Sequence, residues 1–220
     1  MLIKADSLQL HPLRPNYSSG MSAQEDPIPY PVERNAAPPP APLKALIPLF
    51  IPRSIHVPVG ASWALLRRSD GRIWGSSNFA QPFNSSESVI KAWIAYDYLR
   101  THRPTAAIST MIRDSANGPA HQLWGHSQSF NRLVSTCRLP DARYNDQWSE
   151  VHFSARDLAR MGDCLARVGS PWLLMEMRSI RGAGAFGLPF GMSGYIRGKV
   201  AYKNGWTYRS DGWNVNCMAT

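Results

Sequence analysis

The sequence predicts an α+β domain: an antiparallel sheet built from N- and C-terminal strands, with a helical block between them. Three observations carry this. "ASWALLRRSDGRIWGSSNF" reads as a hairpin, with strands near 61–68 and 72–78 around the turn Ser69-Asp70-Gly71. "KVAYKNGWTY" and "GWNVNCMA" read as a second strand pair, joined at Asp211-Gly212. Between the two pairs, apolar residues recur at helical spacing.

The elements follow in order. After a loop with Pro82, a helix opens near Ser88, its apolar positions 89, 90, 93, 94 and 99 mainly on one face. A short helix covers roughly 106–113. "SQSFNRLVSTC" places Phe130, Leu133, Val134 and Cys137 at helical spacing, and "SARDLARMGDCLARV" does the same with Leu158, Met161, Leu165 and Val168. Ser154 with Asp157 three residues on is a capping box, which fixes that helix start. Ser170-Pro171 opens one more helix in the cap-then-proline order, and a glycine-rich loop, 182–198, leads to the last strands.

The 220 residues suffice for one domain with a sizeable core. Residues 1–45 differ from the rest. Pro27, Pro29, Pro31 and the run Pro38-Pro39-Pro40 break any helix, so this stretch reads as an extended or disordered leader before a domain at 46–220. The formal charge of +9 is carried mostly by arginine, but Arg68, Arg100, Arg156, Arg160 and Arg178 are scattered. A nucleic-acid module needs a clustered basic stripe, so that reading rests on charge alone. "ALIPLFI" (45–51) is too short to span a bilayer, and "MLIKADSLQLH" lacks the apolar core of a signal peptide. Cys137, Cys164 and Cys217 have no metal-type spacing. Cys217 reads as a small buried residue, whereas Cys137 and Cys164 each lie late in a helix and admit one disulfide in an oxidising compartment.

"NSSESVIKAWIAY" (84–96) holds the first chemical signal. Lys91 sits among Val89, Ile90, Trp93 and Ile94, where a charge is costly unless paired or used. Ser88 stands three positions earlier, on the same helical face. Desolvation lowers a lysine's pKa, and a neutral amine beside a serine hydroxyl is a general base that makes the serine a nucleophile. The first helical turn also offers free N–H groups to a developing oxyanion.

Two further patterns join it: Ser115-Ala116-Asn117 just after a helix, and Lys203-Asn204-Gly205 on a strand. S-x-x-K, S-x-N and K-x-G in this order resemble the penicillin-recognising serine enzymes, which include class A β-lactamases and D-Ala-D-Ala peptidases. The resemblance covers roughly residues 60 to 219. "HFSARDLARMGDCL" is similar to the helix before the K-x-G strand in class A β-lactamases, and "DGWNVNCMA" to the strand after it in actinobacterial β-lactamase-like serine hydrolases. S-x-N is the weakest element, since Ser76-Ser77-Asn78 and Ser129-Phe130-Asn131 also match.

The resemblance implies a β-lactamase/DD-peptidase-like fold and an acyl-enzyme at Ser88, made from a β-lactam or a D-Ala-D-Ala-like cell-wall peptide. Lys91 is implied as the base. Ser115 relays a proton to the leaving nitrogen, and Asn117 fixes Lys91 or the substrate amide. Lys203 holds the substrate carboxylate. Gly205 lets the strand approach closely, and the N–H groups of Ser88 and Trp206 form the oxyanion hole. It further implies a monomer outside the cytoplasm that uses no metal or other cofactor, has no integral membrane span and takes a small-molecule partner and no nucleic acid.

The pattern departs from the family in places. The Glu-x-x-Leu-Asn segment that activates the deacylating water in class A enzymes is not found; Glu150 reads as a surface charge or one at a helix start. The gap between Ser88 and Ser115 is short, and the chain stops on the strand after K-x-G, which reads as a truncation at the C-terminus. These departures keep a second reading open, a non-catalytic relative that binds envelope ligands. Two decoys are set aside: Gly182 to Gly187 fits G-x-G-x-x-G but follows a helix, and His121 and His126 lack a metal-binding spacing.

Overall fold

The computed structural model describes residues 60–82, 84–185, 199–210 and 212–220. The leader reading of 1–45, most of the glycine-rich loop and Asp211 lie outside them. The element order is β1 (Ala64–Arg67), β2 (Arg72–Gly75), β3 (Asn84–Ser85), a 3₁₀ turn at Glu87–Ile90, α1 (Lys91–Leu99), α2 (Ala106–Arg113), α3 (Gly118–Leu123) and α4 (His126–Cys137). Then come a 3₁₀ turn at Trp148–Glu150, β4 (His152–Phe153), α5 (Ala155–Val168), α6 (Pro171–Arg178), β5 (Tyr202–Arg209) and β6 (Gly212–Ala219).

Local rules set the helix boundaries. Thr105, Ser154 and Ser170 each accept a hydrogen bond from a backbone N–H of the first turn, and Ser154 and Asp157 complete a reciprocal capping box. The core lies among the helices. Val89, Ile90, Trp93 and Ile94 pack with Ile108, Met111, Ile112, Leu133, Met161 and Leu165, all within a percent of full burial.

The strands are antiparallel, as the α+β reading expects, but the sheet is not continuous. Among the described residues, β1 pairs with β2, β3 with β4, and β5 with β6, so the N- and C-terminal hairpins share no ladder. A cavity of about 680 Å³ separates β1 from β6, floored by Ala155, Leu158 and Ala159 of α5. None of Ser88, Lys91, Ser115 or Lys203 lines it. The β3–β4 pair was not foreseen, because two-residue strands carry no period.

The same gap corrects the reading of Cys217. Odd positions of β6 face the uncovered side, so Trp213, Val215 and Cys217 are exposed while Met218 is buried. Cys137 and Cys164 form a disulfide that ties α4 to α5 across 27 residues. A loop of that length restricts the unfolded chain by about 3.5 kcal/mol in the chain-entropy account. Urea melts with and without dithiothreitol are expected to differ by that amount.

The scattered arginines are largely engaged in ion pairs and caps. Arg68 pairs with Asp163, Arg100 and Arg132 with Asp97, and Arg156 with Asp141. Arg178 donates to the Lys199 carbonyl, and Arg160 to that of Arg138. No described helix is long and apolar enough to cross a membrane.

Candidate active site

The turn Glu87–Ile90 is where the serine meets the lysine. In a 3₁₀ turn residues i and i+3 eclipse, so Ser88 stands over Lys91, whose N–H donates to the Ser88 carbonyl. The helix proper therefore begins at Lys91, three residues later than the spacing suggested. Ser88 is half-buried and Lys91 is fully enclosed.

Lys91 Nζ donates to the Ser115 carbonyl at 2.5 Å and to Asn117 Oδ1 at 2.7 Å, and lies 3.4 Å from Ser115 Oγ. The Trp148 ring centroid lies 4.8 Å from the amine. Lys203, also fully enclosed, donates to Ser115 Oγ and to the Asn204 carbonyl, both at 3.0 Å. The Ser115 hydroxyl thus lies between two lysine amines. Among the described residues Ser88 Oγ makes no hydrogen bond, so the serine–lysine contact expected from the spacing is a stacking of positions and not a formed bond.

Burial sets the electrostatics. It pushes the Lys91 amine down to about 7, with the Lys203 charge adding to the shift and Glu87 opposing it. Burial likewise pushes Lys203 down to about 7. A neutral Lys91 has two N–H bonds and a lone pair. Two carbonyl oxygens take the N–H bonds, which leaves the lone pair for a proton from a hydroxyl.

The backbone explains how Ser115 and Gly205 reach the site. Ser115 follows α2 in the left-handed region (φ +61°), and Ala116 N–H closes that end on the Thr110 carbonyl. Arg113 grips Glu176 of α6 with two bonds of 2.6 and 2.7 Å, which holds α2 in place. A Cβ on Gly205 would lie 2.4 Å from Ser88 N and 2.8 Å from Glu87 Cβ, so only glycine allows β5 to sit this close. Trp206 follows it on the strand, half-buried.

The three S-x-N matches separate here. Ser76 bonds Asn78 within its own loop, and Ser129 binds Trp93 Nε1 and Asp97 in the core. Ser115 and Asn117 alone of the three pairs reach Lys91. Trp148 and Glu87 were not singled out from the sequence. A tryptophan in an irregular stretch and a glutamate in a polar run carry no spacing signal. His121 accepts a bond from Trp148 Nε1 at 3.2 Å. No group of three or more His, Cys, Asp or Glu that could hold a metal ion occurs among the described residues.

Comparison with solved structures gives an ancestral (GNCA) class A β-lactamase at a TM-score of 0.50, covering 72% of this chain and 77% of that one. The fold is β-lactamase-like. Identity to that neighbour is 14%, so the likeness concerns the fold and leaves the chemistry to this chain's own residues. No protein-family model and no curated protein sequence matches this β-lactamase-like chain.

Proposed function

We propose that this protein is a serine hydrolase that forms an acyl-enzyme at Ser88 with a β-lactam or a D-Ala-D-Ala-like cell-wall peptide. The observation that carries the reading is the Ser115 hydroxyl held between two enclosed lysine amines, with Ser88 one turn before the first of them. In this reading neutral Lys91 takes the Ser88 proton as Oγ forms a bond to the carbonyl carbon. The N–H groups of Ser88 and Trp206 hold the oxyanion. The C–N bond then breaks, the nitrogen takes a proton from Ser115 Oγ, and Lys91 returns one to Ser115. Lys203 neutralises the substrate carboxylate, with Asn117 keeping Lys91 aimed.

Release of the acyl group is the slow step of this proposal. Glu150 and Glu87 are both held by Arg209 Nη2, at 2.8 and 3.1 Å, and neither stands in a Glu-x-x-Leu-Asn segment. That favours a peptidase, a slow hydrolase or a trapped acyl-protein over an efficient β-lactamase. The Cys137–Cys164 bond supports a location outside the cytoplasm.

The binding-only reading draws on one observation, the missing hydrogen bond between Ser88 and Lys91. A fluorescent penicillin separates the two. Covalent label on the wild type that disappears in Ser88→Ala supports the hydrolase. A folded wild type that takes up ligand reversibly and never shows an adduct supports binding alone. Label that fades over minutes marks turnover, and label that persists for hours marks a trap.

A further inference from the structure

The residue before Ser88 is strained, enclosed and charged, and the chemistry above does not use it. Glu87 has φ +47°, in the left-handed region that a non-glycine residue occupies only when its surroundings force it. Its surroundings do so on several sides. Glu87 Oε1 accepts from Ser85 Oγ at 2.9 Å, from Arg209 Nη2 at 3.1 Å and from Asn214 Nδ2 at 3.3 Å. Arg209 in turn donates to both oxygens of Glu150, at 2.8 and 2.9 Å, and Asn216 Nδ2 donates to the Ser85 carbonyl at 2.7 Å. Groups from β3, β5 and β6 thus converge on one carboxylate, and Arg209 ties it to the Trp148–Glu150 turn.

The backbone that this carboxylate fixes is the one that Gly205 touches. Ser88 N and Glu87 Cβ are the two nearest atoms to a Cβ built at 205. A shift at Glu87 would therefore move Ser88 against the K-x-G strand. We propose that Glu87 is a positioning residue: clamped by Arg209, Asn214 and Ser85, it holds the turn that presents Ser88 to β5 and keeps a negative charge four residues before Lys91.

The inference rests on the acylation reading for its first part, while its second part is independent of any substrate. The charged groups acting on Lys91 are Glu87 from its own turn and Lys203 from β5; the other neighbours, Ser115, Asn117 and Trp148, carry no charge. Glu87 opposes the fall of the Lys91 pKa, so removing its charge lowers that pKa further.

The test uses the full chain with ¹³Cε-labelled lysine, the resonance of Lys91 being assigned with Lys91→Met. In Glu87→Gln, which keeps the shape of the side chain, the Lys91 titration midpoint is expected below the wild-type one. A midpoint that is unchanged or raised overturns the charge role, whether or not the protein acylates. The second variant is Arg209→Gln, at a side chain 41% exposed and so tolerant of change. Its acylation rate by penicillin is expected to fall about tenfold at unchanged non-covalent affinity, a loss of about 1.4 kcal/mol in the transition state alone. Wild-type acylation with an undiminished rate in Arg209→Gln overturns the positioning role. A wild type that never acylates sinks the hydrolase reading instead, and the lysine titration then decides this inference alone.

Discussion

Lys91→Met is expected to lose covalent labelling by penicillin by about a thousandfold, because a positioned general base supplies about 10²–10⁴ in rate. The same variant should reveal the burden that the wild type carries. Lys91 and Lys203 titrate near 7 in the folded protein and near 10.5 when exposed. The sign follows from proton counting. Between pH 7 and 10.5 the unfolded chain holds a proton on each lysine that the folded chain has shed, so unfolding takes up protons and stability rises with pH. Below pH 7 both states are charged and the full penalty remains. Above 10.5 it is gone.

Wild-type stability is thus expected to rise from pH 7 to 9 by about 2–3 kcal/mol for each lysine, taking 1.36 kcal/mol per pH unit as the limit. Lys91→Met removes one of the two contributions. Its unfolding free energy relative to wild type should be most favourable at pH 6 and decline toward pH 9, where the unpaired Ser115 carbonyl and Asn117 Oδ1 outweigh it. Denaturant melts across that range read both slopes. A variant whose stability relative to wild type does not change with pH would show that the amine is not held neutral by the fold.

Gly205→Ala is the second large effect. The added methyl meets backbone nitrogens, Ser88 N at 2.4 Å and Val89 N at 2.9 Å, and neither can swing aside like a side chain. Strand β5 cannot slide to make room, since Tyr202 to Arg209 are paired residue by residue with Ala219 to Gly212. The strand must lift away from the Ser88 turn. A displacement of about 1 Å at a reacting centre costs about a hundredfold in rate, and overpacking adds about 1–3 kcal/mol of instability. Acylation rate and melting temperature are both expected to fall. Gly118→Ala, where nothing lies within 4 Å of the new methyl, should leave both near wild type.

The parts of this protein that were legible in the sequence are those settled within one turn or one strand pair. Ser154 and Asp157 are three residues apart, so their capping box can be read without knowing the fold. The hairpins β1–β2 and β5–β6 close through short turns, and Ser88 and Lys91 share a face by spacing alone. K-x-G at Lys203 occurs once, whereas Ser76 and Ser129 also begin S-x-N, and Ser115 stands apart from them by following a helix end.

Tertiary packing decided the rest. Whether Lys91 is charged depends on how deeply neighbours bury it, and Trp148, Ser115, Asn117 and Lys203 come from 24 to 112 positions away. Whether Cys217 is covered depends on what stands beside β6, and the cavity toward β1 leaves that face open. Glu87 shows the reason most plainly. Its left-handed backbone has no signal in its own residue type, because the force that holds it is supplied by Arg209, Asn214 and Ser85, which meet only once the chain has folded.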